Sequence, residues 1–172
     1  MQRELQRAAP QPAIKWTHVH QIHFTLRFLG SVPATDLEKI VAAMRYACAS
    51  FAPLNLRAEA IGFFPNQRSP RVLWAGVVDD DDRLSVIQQR IQEATRQFTA
   101  EPPEKKFAAH LTLARIKFIR RAEGEALAKA AATFSGTSFG QWTAADVTLF
   151  RSELSPVGAK HTVCEAISLR QP

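Results

Sequence analysis

The sequence predicts an α+β fold, and three observations carry that prediction. Helical and strand-like periodicities follow one another without the regular alternation of a parallel α/β protein. Several strand-like runs are joined by short, turn-forming connections, which favours antiparallel pairing. One pattern, His-x-Thr-Leu, occurs twice, at His23-Phe24-Thr25-Leu26 and at His110-Leu111-Thr112-Leu113, once in each half of the chain.

The elements follow in order. Residues 2–8 read as a short helix that Pro10 and Pro12 stop. The stretch that follows contains a strand over about 21–29, ended by Gly30 and Pro33. A strong helix comes next, with Thr35 as N-cap and Glu38 as its capping-box partner. Its apolar positions Leu37, Ile40, Val41, Met44, Cys48 and Phe51 recur at helical spacing. Residues 54–61 alternate as a strand, 62–70 form a loop with Phe63, Phe64 and Arg68, and 71–78 form a short apolar strand around Trp74.

Four aspartates, Asp79 to Asp82, precede a second helix built on Leu84, Ile87, Ile91, Ala94 and Phe98. Acidic groups suit a helix N-terminus, so the run reads as capping and not as a metal site. A strand over 107–118, an Ala-rich helix over 122–134 and strands over 138–142, 146–154 and 161–169 complete the chain, with Pro156 and Gly158 turning between the last two.

The chain has 172 residues, 46% of them hydrophobic and 22% charged, which suits one globular domain of two lobes and excludes long disorder. Lys and Arg number 22 against 16 Asp and Glu, a formal charge of +6, so an anionic partner such as nucleic acid is a live expectation. Two cysteines, Cys48 and Cys164, make no disulfide framework and read as free thiols in a reducing, cytoplasmic compartment. No apolar run approaches membrane-spanning length, and the first residues lack a signal core.

Strand geometry gives the repeated pattern its meaning. Side chains alternate faces, so His23 and Thr25 share one side while Phe24 and Leu26 share the other; His110 and Thr112 do the same opposite Leu111 and Leu113. Two such strands around one cleft would bring together two imidazoles and two hydroxyls. Imidazole serves as acid or base near neutrality, and threonine hydroxyls can donate to phosphate oxygens. That set suits phosphodiester hydrolysis without a metal. Taken singly, each pattern is no more than a half-buried strand; its duplication is what points to chemistry.

Other residues are weighed against plainer roles. Arg27 falls on the His23/Thr25 face of a regular strand and would meet phosphate there. Strict alternation puts Arg115 opposite His110, so a bulge or strand end is needed to bring it to the same side. Arg68 and Arg71 flank a loop where they could steer an RNA backbone. Phe64 is the candidate for stacking a base, whereas Trp74, between Leu73 and Val77, reads as core. His18 and His20 read as exposed residues, because no nearby Cys or carboxylate pair completes a metal site. No Gly-rich phosphate loop or Ser-His-Asp order is present.

These residues resemble the two-histidine phosphoesterase superfamily, and specifically its LigT-like branch of RNA 2′,3′-cyclic phosphodiesterases, once called 2′-5′ RNA ligases. The resemblance runs through His23-Phe24-Thr25-Leu26-Arg27-Phe28-Leu29-Gly30, Pro70-Arg71-Val72-Leu73-Trp74 and His110-Leu111-Thr112-Leu113-Ala114-Arg115. It continues through the stretch from Val147 to Leu169 with Ser152, Leu154 and Gly158, and so covers the chain from about Trp16 onward. It implies a bilobal, pseudo-two-fold fold, with antiparallel sheets flanking a central cleft and helices outside.

The activity implied is opening of an RNA 2′,3′-cyclic phosphate to a 2′-phosphomonoester, with no cofactor and no metal. His23 is the implied proton donor to O3′, His110 the base that activates water, and Thr25 and Thr112 the holders of phosphate. The partner is an RNA with a cyclic phosphate end or a related cyclic nucleotide. A non-catalytic RNA-binding module of the same fold, and a relative acting on another cyclic phosphate or joining 2′-5′ RNA ends, are the alternatives. Two departures stand out. The family's first apolar strand is missing from a chain that starts Met1-Gln2-Arg3-Glu4-Leu5, as if the true start lay upstream or the chain were trimmed. That would leave an edge strand open to association in a chain otherwise expected to be a monomer. His161 stands where the family often has tyrosine.

Overall fold

The computed structural model describes residues 1–10, 12–155 and 158–170. The elements are helix α1 (Gln2–Ala8), strand β1 (Ile14–Trp16), helix α2 (Leu37–Cys48), strands β2 (Leu54–Phe64) and β3 (Val72–Val78), helix α3 (Arg83–Thr95), strand β4 (His110–Ile116), helix α4 (Arg121–Ala132), and strands β5 (Ser138–Ala144), β6 (Asp146–Ser155) and β7 (Gly158–Ser168). They form a five-stranded sheet of order β1-β4-β3-β2-β5 and a two-stranded sheet β6-β7. The paired strands β1–β4, β2–β3, β3–β4 and β6–β7 are all antiparallel, as the short connections require. The expected turn residue Pro156 lies outside the described residues.

The chain divides into two compact units. The first comprises Met1–Thr25, Leu56–Val78 and Ala108–Trp142. Its core lies on one face of the five-stranded sheet, where Ile14, Phe63, Leu73, Ala75, Leu113, Ala114 and Ile116 pack against Leu5 and Ala9 from the α1 side and Leu127 and Ala131 from α4. Leu5, Leu73 and Leu127 are wholly buried, and each such side chain adds about 1.5–3 kcal/mol. Gln2 ties α1 to the sheet, its amide donating to Thr17 O at 2.8 Å and to Leu113 O at 3.3 Å.

The second unit comprises Leu26–Asn55, Asp79–Phe107 and Thr143–Pro172. Ile40, Met44, Ala47 and Cys48 of α2 and Leu84, Ile87 and Ile91 of α3 are buried there, at the spacing the sequence predicts. The acidic run does cap α3, through one member: Asp79 Oδ2 accepts the Leu84 N–H at 2.6 Å.

Four expectations change. Residues 22–30 carry no strand: a 3₁₀ turn, Val19–Gln21, follows β1, and an extended segment becomes a strand only against a partner edge. Both edges of β4 are already taken, by β1 and β3. The strand that pairs there is the three-residue β1, too short to stand out in a periodicity. Thr35 does not cap α2; it lies inside a 3₁₀ turn, Ala34–Asp36, that moves the helix start to Leu37 with Asp36 at the N-cap. Strand β2 runs on to Phe64 instead of ending at Ile61. A bulge at Ala60, whose φ is 55°, shifts the alternation there, so that Ala60 is exposed and Phe63 reaches the core. Finally, β4 begins only at His110.

Both cysteines are free thiols, Cys48 buried and Cys164 half-buried. Burial pushes the Cys48 thiol up to about 11, so thiolate, the reactive form, is scarce there at neutral pH. In the native protein at about pH 8, near the ordinary thiol range, a disulfide reagent is expected to titrate Cys164 while Cys48 reacts only on unfolding. Rapid reaction of both, followed by absorbance and peptide mapping, contradicts this packing.

Candidate active site

Both pattern histidines belong to the first unit. His110 opens β4, and its Nδ1 lies 2.7 Å from the carbonyl oxygen of Ala108. His23 follows the 3₁₀ turn after β1, and its Nδ1 lies 2.8 Å from the carbonyl oxygen of Gln21. In each case the partner is the carbonyl two residues upstream. A carbonyl oxygen only accepts, so Nδ1 carries the proton and donates. In the neutral imidazole Nε2 is then the unprotonated nitrogen, and in the protonated ring Nε2–H is an acid. Two different backbone settings, a loop and a strand start, thus produce the same tautomer.

The surroundings of His110 follow from sheet register. Gly76 is its partner on β3, and Trp74 is the partner of Thr112. Leu73, Ala75 and Val77 point to the buried side, so Trp74 and Gly76 stand on the opposite face with His110 and Thr112. Trp74 is therefore half-buried beside the histidine and not in the core as its apolar neighbours suggest. Its ring centroid is 6.4 Å from that of His110, and Phe64 lies 5.0 Å edge-on to His110 and 5.1 Å from Trp74. The indole lies over Gly62: a Cβ there would sit 2.1 Å from the ring, so only glycine admits it. The alternation of β3 is the signal that could have identified this face. Phe64 was legible as a candidate, but as a loop residue; the structure makes it the last residue of β2.

Arg115 reaches the same face through a bulge. Leu73 pairs with Ala114 while the next β3 residue, Trp74, pairs with Thr112, so β4 spends one extra residue at Leu113. Consecutive residues Leu113 and Ala114 are accordingly both buried, at 1% and 0% exposure, and Ile116 is buried after them. Arg115 then points away from the core and is exposed, on the side of His110 and Thr112. Thr25 is exposed two residues after His23.

The remaining arginines divide. Arg68 is exposed in the β2–β3 loop, whose turn is held by Asn66 Oδ1 accepting the N–H groups of Arg68 and Ser69. Arg71 donates to Lys117 O at 2.6 Å. Arg27 lies in the second unit, where its guanidinium donates to Pro102 O at 2.7 Å, Glu101 O at 2.8 Å and Gln92 Oε1 at 3.5 Å. With no regular strand over residues 22–30, the regular-strand facing that put Arg27 beside His23 and Thr25 does not arise, and its N–H groups bond to these oxygens. His18 and His20 stack on each other at 5.6 Å and are exposed. Among the described residues no three His, Cys, Asp or Glu side chains gather as metal ligands would.

Substituting Gly62 by alanine is expected to displace Trp74 from beneath its neighbours, with an overpacking cost of about 1–3 kcal/mol. Thermal unfolding and near-ultraviolet circular dichroism would register it; an unchanged melting temperature and an unchanged tryptophan signal would contradict the close approach.

The LigT like Phosphoesterase family model matches residues 1–74 and 77–160 of this chain. A protein of Methanothermobacter thermautotrophicus named RNA 2′,3′-cyclic phosphodiesterase is 30% identical over 91% of this chain and 83% of its own length. One of Archaeoglobus fulgidus with the same name is 32% identical over 84% of this chain and 78% of its own. The crystal structure of TT0787 of Thermus thermophilus superposes with a TM-score of 0.73 at 29% identity, covering 99% of this chain and 90% of that one.

Proposed function

Because the chain belongs to the LigT-like phosphoesterase family, we propose that it hydrolyses RNA 2′,3′-cyclic phosphate ends to 2′-phosphomonoesters, with His23 and His110 as a metal-independent acid–base pair. The observation that carries this reading is the shared Nδ1–carbonyl bond, which readies Nε2 of both histidines for proton transfer. The names of the relatives, 30% and 32% identical, support the substrate.

The chemistry needs one neutral and one protonated imidazole. Nε2 of His110 takes a proton from water as the water oxygen bonds to phosphorus. The P–O3′ bond breaks, and His23 delivers its Nε2 proton to O3′, leaving a free 3′-hydroxyl and a 2′-phosphate. Exchange with solvent restores both rings. Negative charge gathers on the non-bridging oxygens, where the hydroxyls of Thr25 and Thr112 donate and the exposed guanidinium of Arg115 adds positive charge. Phe64, already packed on His110 and Trp74, offers a face to the terminal base, and Arg68 offers a cation to the RNA backbone.

The test is turnover of a nucleoside 2′,3′-cyclic phosphate in excess chelator, with the product's regiochemistry read by phosphorus NMR. The expected product is the 2′-phosphate, and His23→Ala and His110→Ala are each expected to lower kcat by about 10²–10⁴-fold while keeping the wild-type melting temperature. A 3′-phosphate product, near-normal turnover in either variant, or activity that disappears in chelator and returns with a divalent metal would each overturn the proposal.

A further inference from the structure

Beyond Thr112 the polar face of β4 becomes basic. The β1–β4 ladder pairs Lys15 directly with Arg115, and the Lys117 N–H continues it by bonding to Ala13 O at 3.0 Å. Ile14 and Ile116 are buried partners on the core side, so Lys15, Arg115 and Lys117 all project from the other side, and all three are exposed. Because the extra residue at Leu113 adds no ladder step, Arg115 lies roughly 7 Å and Lys117 roughly 13 Å along the strand from Thr112, at about 3.3 Å per step. Lys15 and Arg115 are direct cross-strand partners, so two cations sit side by side on this face with Lys117 beyond them.

We infer that Lys15 and Lys117, flanking Arg115, form a track for the phosphates that precede the cyclic end, so that the site is built for an RNA chain and not for a mononucleotide. This rests on the proposed cyclic phosphodiesterase reading. It adds a direction: the terminal phosphate at His110 and Thr112, and the upstream backbone running along β4 toward Lys117. An edge-strand lysine also discourages strand-to-strand association, but that role leaves RNA binding indifferent to its removal.

The experiment compares wild type with Lys15→Gln and Lys117→Gln in two measurements. The first is binding of a fluorescein-labelled oligoribonucleotide ending in a 2′-phosphate, by anisotropy across a salt series. The second is kcat/KM for a nucleoside 2′,3′-cyclic phosphate and for an oligoribonucleotide with the same end. Each lysine removed is expected to flatten the plot of log affinity against log salt by about 0.7. It should lower kcat/KM for the oligomer and leave the mononucleotide rate at the wild-type value. Unchanged salt slopes in both variants, or equal losses on both substrates, overturn the track. Absent turnover with the slope differences intact overturns the hydrolytic reading and leaves the track standing.

Discussion

Strand β4 is hydrogen-bonded on both sides, to β1 along one edge and to β3 along the other, and that double ladder governs the site. One of its faces carries Leu113, Ala114 and Ile116 into a core closed by α1 and α4; the other carries His110, Thr112 and Arg115. A strand held on both edges and packed on one face has little freedom to rotate, so the ladder fixes the direction of its polar face. The single irregularity, the extra residue at Leu113, is what keeps the cation and the histidine on the same side. A perfectly regular strand of the same composition would bury Arg115 or expose Ala114.

The two histidines make the same Nδ1–carbonyl hydrogen bond in unequal settings. His110 has the ladder behind it and an aromatic pair, Phe64 and Trp74, against its ring. His23 sits past a 3₁₀ turn with no ladder, and the carbonyl of Gln21 supplies the orientation that the sheet supplies elsewhere. The common element is local: a backbone carbonyl two residues upstream can reach Nδ1 whether or not the chain is a strand. This explains how a four-residue pattern can recur in different secondary structure and still leave the same ring nitrogen, Nε2, facing away from the backbone partner.

The aromatic wall depends on a void in the sequence. Gly62 leaves the sheet surface bare beneath Trp74, and the indole fills the space a side chain would take there. The tryptophan in turn supports Phe64 and His110 from one side. A glycine and a tryptophan on neighbouring strands are thus one feature, though they are far apart in sequence and neither suggests the other when the chain is read linearly.

The α+β class, the helices of the second unit, the capping role of the run Asp79 to Asp82 and the pairing of His with Thr on one face of β4 are all legible in the linear chain. Each of these is a local property, set by helical and strand periodicities or by groups a few residues apart. The tertiary structure decided the rest. It decided that residues 22–30 are not a strand, because a ladder needs an edge that only the assembled sheet can offer or withhold. It decided that Trp74 faces His110, that Phe64 ends a strand, and that Arg115 joins the polar face while Arg27 turns to the carbonyls of Glu101 and Pro102. Those outcomes rest on register, bulges and partners remote in the chain, and a linear pattern carries no record of which residue will lie opposite which.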